Sequence, residues 1–251
     1  MRLELLGTLV ERQLRLRSKR SVFGVVWPLA APLLLLALYL FVFTSVFTAP
    51  VDRYGVYLFA GLLPWTFLVQ ASHDALQSIS FEPELVRRAP MPYHYLPLAR
   101  VVVMAIPFLA LLVAFVVYLA VVGDEHLRPV LLPMLAVPVA STLLVVATIA
   151  VLLALLDVFS RDLRYVLHNL LTVWFFLVPI VYDRRMVGPQ LQAVTAVDPM
   201  RRVVEQYRDV LYDGRIASPV AHVVTLGACA ALFLASLVLF RRLAVDLAKD
   251  V

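Results

Sequence analysis

The chain has 251 residues, 63% apolar and 16% charged, with a formal net charge of +5 and a mean hydropathy of +0.91. A soluble domain carries about 45–50% apolar and about 25% charged residues, so a water-soluble globule is excluded and an integral membrane protein is expected. The basic excess fits anionic lipid rather than nucleic acid, because the Lys and Arg residues flank apolar runs.

Residues 1–20 read as a basic amphipathic helix. Leu3, Leu5, Leu6, Leu9, Val10, Leu14 and Leu16 take about half of the helical circumference. Glu4, Glu11, Arg12, Arg15 and Lys19 take the other half, and Arg2, Arg17 and Arg20 interrupt the pattern. Such a helix lies in the interface plane with its apolar face among acyl chains. After it, residues 21–51 contain no Asp, Glu, Lys or Arg. That run is much longer than the roughly 7–15 residues of a signal-peptide core, so a span is expected there rather than a leader.

Five further uncharged runs follow, at 54–73, 101–123, 129–156, 165–182 and 216–240. Each is near or above the roughly 18–20 residues a helix needs to cross ~30 Å of hydrocarbon. Continuous stretches such as Leu33–Leu36 do not alternate, which excludes a membrane β-barrel. The fold class is therefore an all-α integral membrane protein, with one transmembrane domain over 1–251 and six transmembrane helices. The spans fall at about 22–48, 54–78, 99–122, 129–156, 164–183 and 217–240, after an N-terminal amphipathic interface helix at 1–20. Residues 79–97 and 184–216 link spans on opposite sides, and 241–251 form a tail.

Fourteen Lys and Arg residues lie on the side shared by the termini, against Arg53 and Arg128 in the two short opposite loops. The positive-inside rule then places both termini in the cytoplasm. The outer segment is the exception, with arginines at 184, 185, 201, 202, 208 and 215.

Aromatic residues mark positions inside the spans. Tyr39, Phe43 and Phe47 recur every four residues along the outer half of the first span, and Trp27 stands where an interfacial anchor belongs. Trp65 and Trp174 lie roughly 13 Å inside their spans at ~1.5 Å per residue, too deep for an interfacial belt. They either pack inside the bundle or line a path on which sugars stack.

The inner segment "FEPELVRRAPMPYHYLPLAR" is divided by Pro90, Pro92 and Pro97, leaving Glu84–Ala89 room for a turn or two of helix. It is either a charged helix that a soluble partner grips or a proline-rich connector. In the outer segment, "DPMRRVVEQYRDVLYDG" opens on Asp198 as N-cap with Pro199 behind it and closes on Gly214. Met200, Val203, Val204, Tyr207 and Leu211 recur on one helical face. This is a short amphipathic helix on or dipping into the outer leaflet, or else a solvated helical loop.

Catalytic signatures are missing. No glycine is followed by lysine, so no phosphate loop is present, and there is no G-x-S-x-G, H-E-x-x-H or His/Cys cluster at metal spacing. Asp74 and Asp157 are expected at the inner interface rather than in a proton relay, and His168 and His222 as packed or interfacial side chains. Cys229 stands alone in the last span, so no internal disulfide can form.

Several ordered motifs do suggest a family. These are "RSKRSVFGVVWPLAAP" at 17–32, "GLLPW" at 61–65, "DVFSRDLRYVL" at 157–167, "WFFLVPIVY" at 174–182 and Asp198-Pro199. In this set the chain resembles the membrane subunits of bacterial ABC exporters of lipid-linked polysaccharide, the O-antigen, capsule and teichoic-acid transporters. The resemblance covers essentially the whole chain.

The resemblance implies a homodimer of six-span subunits with two copies of a separate nucleotide-binding ATPase, which would hold the ATP and Mg. No cofactor is then expected in this chain. It also implies a coupling segment at 79–97 with Glu84, Leu85, Arg87 and Arg88 at the ATPase, although Met91-Pro92-Tyr93 replaces the usual Phe-Pro-Arg. Arg15, Arg17, Lys19 and Arg20 on the interface helix would draw in the pyrophosphate of a polyprenyl carrier. Tyr39, Phe43, Phe47, Trp65 and Trp174 would line an aromatic glycan path. Met200, Val203, Val204, Tyr207 and Leu211 would sit on short re-entrant external gate helices within 184–216. The competing readings are a permease for a drug or small lipid, and a membrane-embedded enzyme acting on lipid-linked sugars through Asp74, Asp157 and Asp162.

Overall fold

The computed structural model describes residues 2–20, 27–46, 51–82, 92–160, 162–183, 186 and 188–250. Phe47, Glu84, Leu85, Arg87 and Arg88 lie outside the described residues. Lys19 and Arg20 end a helix whose last side chains are likewise outside them.

Among the described residues the chain is helical, without strands. Helix α1 covers Arg2–Arg20. Helix α2 covers Trp27–Phe41 and runs into a wider π turn at Val42–Val46. Helix α3 spans Tyr54–Leu76 and α4 spans Tyr95–Val122. A tight 3-10 stretch at Pro129–Leu135 leads into α5, Ala136–Phe159. Helix α6 covers Leu163–Leu177, α7 Pro189–Thr195, α8 Pro199–Leu211 and α9 Pro219–Asp250.

Helix α3 is the centre of the bundle and packs on α2, α4, α5, α6 and α8, while α5 carries α9 on its other side. Apolar side chains surround α3, and Leu58, Leu62, Leu63 and Leu68 are all buried. Ring pairs key α3 to α4: Phe59 meets Phe115 edge-on and Phe67 stacks on Phe108, both with centroids 4.7 Å apart. Such pairs add about 0.5–1.5 kcal/mol beyond area burial and set the relative height of the two helices.

Among the described residues four helices are long and apolar enough to cross a membrane, at Tyr54–Leu76, Tyr95–Val122, Pro129–Phe159 and Pro219–Leu243. The apolar helices Pro28–Phe41 and Leu163–Leu177 are shorter. Helix α6 stops before the expected 183 because of Pro179. Proline lacks the N–H that would continue the ladder and disfavours α geometry at the residue before it. Val178 accordingly turns extended, at φ −78° and ψ 127°. Helix α9 continues past the expected end at 240, where neither Gly nor Pro follows Gly227 to stop it.

Helix α1 docks on one end of the bundle. Leu9 is buried with Ile79, Leu96, Ala99, Leu155 and Phe240, while Leu14 and Leu16 stay exposed. The apolar stripe is thus divided between protein and surroundings. Polar ties reinforce the docking. Glu82 accepts from Arg12, from Gln13 Nε2 at 2.8 Å and from Arg100 Nη2 at 3.3 Å. Asp74 pairs with Arg17 at 2.7 Å and with Arg100 at 3.5 Å.

An isolated exposed pair contributes ~0–1 kcal/mol, but these carboxylates are mostly buried and shared among several donors, which couples them. Glu82→Ala is therefore expected to leave the bundle folded and to raise amide hydrogen exchange in α1 by about tenfold, or about 1.4 kcal/mol. Exchange measured on the purified chain checks this.

Candidate functional site

The end of the bundle opposite α1 holds an unusual piece of backbone. Beyond Leu177 the chain is unwound through residues 178–183, yet Val178, Ile180 and Val181 are buried. In an apolar surround each unpaired carbonyl costs free energy, so every one needs a donor.

Side chains supply those donors one by one. Arg208 Nη1 donates to Pro179 O at 2.6 Å and Arg208 Nη2 to Ile180 O at 2.8 Å. Tyr54 donates to Val181 O at 3.0 Å and Tyr57 to Tyr182 O at 2.9 Å. The Arg208 guanidinium also lies 3.5 Å from the centre of the Tyr57 ring, within cation–π range. Burial pushes its pKa down, and the Tyr57 oxygen followed by Glu205 and Asp183 opposes that. Arginine starts so high that it stays charged.

Helix α8 delivers Arg208 to this place. Asp198 caps the helix, with Oδ1 accepting from Met200 N at 2.9 Å, while its Oδ2 accepts from Trp174 Nε1 at 2.8 Å. One carboxylate therefore starts α8 and ties it to α6. Arg201 is fully buried and joins α7 to α8, donating to Gln192 O and Thr195 Oγ1 at 3.1 Å and to Glu205 at 3.0 Å. Tyr207 and Thr142 hydroxyls meet at 3.2 Å, and Gln206 Nε2 donates to His222 O at 3.2 Å.

The five apolar residues expected on one face of this helix, Met200, Val203, Val204, Tyr207 and Leu211, are all fully buried. They face α3 and α5, so α8 is inserted into the bundle. Two of the unexpected outer arginines, 201 and 208, are consumed by carbonyls and by Glu205. Arg208 was not among the residues singled out from the sequence. The available signal was its spacing, since Arg201, Val204, Arg208 and Leu211 fall on one stripe and an arginine on an apolar stripe needs a buried acceptor.

The aromatic residues form two runs of touching rings. Trp65 meets Trp174 edge-on at 5.5 Å and Phe175 at 5.6 Å, and Phe175 stacks on Tyr39 at 5.7 Å. The second run joins Phe43 to Tyr54 at 5.5 Å, then Tyr57, then Tyr212. Trp65 is 4% exposed, and Tyr39, Phe43 and Trp174 are half-buried. Beside them Phe176 stands 58% exposed on α6.

At the end that carries α1, Arg15 pairs with Glu11 on its own helix and Arg17 with Asp74. Asp157 is buried under Arg164, which donates Nε to Oδ1 at 2.8 Å and Nη2 to Oδ2 at 2.9 Å, and Ser80 adds a bond at 2.6 Å. Asp74 and Asp157 are thus held by separate arginines and do not converge on a common point with Asp162. Among the described residues no group of three or more His, Cys, Asp or Glu side chains is placed to hold a metal ion.

Two changes test this geometry. Arg208→Met strands two buried carbonyls and should cost about 3 kcal/mol. Arg208→Lys should recover little of it, because an ammonium cannot fork to two acceptors. Thermal unfolding in detergent reads both. Asp198→Ala should cost about 1 kcal/mol through the lost cap and shift tryptophan emission as Trp174 loses its acceptor.

Comparison with known proteins fits this arrangement. Residues 4–212 match the ABC-2 type transporter family. An O-antigen export system permease protein RfbA of Klebsiella pneumoniae is 26% identical over 213 residues, covering 84% of this chain and 81% of its own. A protein of the same name from Myxococcus xanthus is 28% identical over 214 residues, covering 84% of this chain and 82% of its own. With the match running from the first turns of α1 to the end of α8, the chain belongs to the ABC-2 type transporter family.

Proposed function

We propose that this chain is the transmembrane subunit of an ATP-driven ABC exporter that carries an O-antigen-type polysaccharide out of the cytoplasm. The observation that carries the reading is the family match over 4–212, together with relatives named as O-antigen export permeases across more than four-fifths of the chain. The chain is not catalytic alone; ATP is hydrolysed by a separate subunit.

The finer reading is a homodimer of six-span subunits in the bacterial inner membrane, with both termini cytoplasmic and two copies of the ATPase beneath. Helix α2 with its π turn is the first span and α6 the fifth. Helix α6 supports the dimer. Its outward face carries His168, Asn169 and Thr172 among Tyr165, Val173 and Phe176, all exposed in the single chain. Polar side chains at membrane depth face water or another helix rather than lipid. Two such faces opposed across an axis would enclose a wet conduit edged by aromatic rings, on which sugars slide without a fixed register. Tyr39, Phe43, Phe47, Trp65 and Trp174 stand in or behind that wall.

At the inner leaflet, the glycan travels on a polyprenyl pyrophosphate attracted to Arg15, Arg17, Lys19 and Arg20. The coupling segment at 79–97, with Glu84, Leu85, Arg87 and Arg88, meets the ATPase. Glu82 immediately ahead of those residues is fastened to α1, so ATPase closure would move coupling segment and interface helix together. Helices α7 and α8 form the re-entrant gate at the outer mouth.

Depleting the protein in its native bacterium should make a polymer on a polyprenyl carrier accumulate inside while the surface loses it. Intact surface glycan with new sensitivity to a small toxic compound would mean a drug-exporting permease instead. A triple change of Arg15, Lys19 and Arg20 to Gln leaves the Arg17–Asp74 pair in place. Each charge is worth roughly 1 kcal/mol at an anionic surface, so export should fall at least about tenfold with assembly intact. Unchanged export in that variant removes the pyrophosphate role.

A further inference from the structure

A second cavity lies away from the gate helices and the inner charge network. It is a lateral groove of about 580 Å³ between α2, α3 and α4. Its walls are apolar, including Leu36 and Leu40 of α2, Phe59 of α3, and Ala114 and Tyr118 of α4. Ala114 is exposed and Tyr118 is 57% exposed, so the groove opens sideways, where the bilayer lies. Along α4 it runs from Leu111 to Val122, or about 16 Å at ~1.5 Å per residue. That matches one leaflet, half of the ~30 Å hydrocarbon thickness.

The end of the groove at the start of α3 is charged. Arg53 and Asp124 both line it and pair with each other. Arg53 Nη1 also donates to Tyr212 O at 2.8 Å, and the guanidinium lies 5.3 Å from the centre of the Tyr212 ring. These contacts use two of the five N–H donors of a guanidinium, and the side chain is 25% exposed. Asp124 Oδ1 accepts from His126 N at 2.9 Å, and a carboxylate offers about four lone-pair sites, so both partners keep bonding capacity.

The geometry points to a phospholipid with a phosphoethanolamine head as the occupant. One acyl chain fills the groove between α2, α3 and α4, with the phosphate on Arg53 and the ammonium on Asp124. The pairing of charges selects this head. A zwitterion adds no net charge to a spot already neutral, whereas a diphosphate would bring extra negative charge beside Asp124 and the neighbouring Asp52. The depth selects a leaflet lipid over a long polyprenyl chain. The inference requires these helices to stand in a bilayer and is independent of the exported cargo.

The test is native mass spectrometry of the full chain with its ATPase, in detergent holding equal amounts of phosphatidylethanolamine, phosphatidylglycerol and undecaprenyl diphosphate. Phosphatidylethanolamine should be retained on the protein. Ala114→Trp, which fills the groove from α4 without touching the charged end, should cut that retention about tenfold at unchanged thermal stability. Asp124→Asn should keep lipid bound but lose the preference over phosphatidylglycerol, whereas Arg53→Gln, which leaves the carboxylate, should weaken retention of both phospholipids and keep that preference. Equal retention in Ala114→Trp overturns the site, and so does preferential binding of undecaprenyl diphosphate. Crosslinking of an Ala114→Cys variant to a second copy would make the groove an interface and overturn it too. Cys229 is buried and does not confuse that reaction.

Discussion

The half of the molecule away from α1 depends on one interaction, the fork of Arg208 to the carbonyls of Pro179 and Ile180. Pro179 ends α6 early, and the backbone it releases lies inside the bundle rather than in water. Such a segment is tolerable only if its polar groups are satisfied by protein. Arg208, Tyr54 and Tyr57 do that together, and their positions dictate much else. Gly61 is part of it, since a Cβ there would come within 3.2 Å of Arg208 Nη2 and of Val204. The side-chain bonds of Asp198, Arg201, Gln206 and Tyr207 all hold α8 at the height where Arg208 meets its acceptors.

The end that carries α1 is built by the same logic with opposite polarity. There carboxylates are buried, and arginines from α1, α4 and α6 come to them. Asp74 and Glu82 tie α1 to the bundle, and Asp157 ties the end of α5 to Arg164 at the start of α6. Buried ion pairs add little net stability against apolar replacements, but losing one partner is costly. Their effect here is to fix position. Both ends of the bundle are pinned by polar side chains, and the middle is left to apolar and aromatic contacts.

That division suits a subunit whose partner pushes from one side. Helix α1 and the turn that ends at Glu82 share a carboxylate, so neither moves without the other. Helix α6 is tied at its start by the Asp157–Arg164 pair and near its end by the Trp174–Asp198 bond. Between those two ties it presents an uncovered polar and aromatic face. A helix held at both ends and bare in the middle is positioned as a rigid strut.

The amino-acid sequence by itself determined the helical membrane character and the approximate places of the four long apolar helices, because hydropathy over about 20 residues is a local property. It also announced α8, because Asp198, Pro199 and the 200–203–204–207–211 stripe are capping and periodicity signals within one short segment. The run length at 165–182 suggested a full span, yet Pro179 cut it short, a local signal outweighed in the reading by apolarity. Only the tertiary structure decided what the buried charges do. Arg208 finds its acceptors 28 and 29 residues away, and Arg17 finds Asp74 on another helix. Those pairings arise where the bundle brings distant helices together, and no spacing along the chain encodes the distance between them.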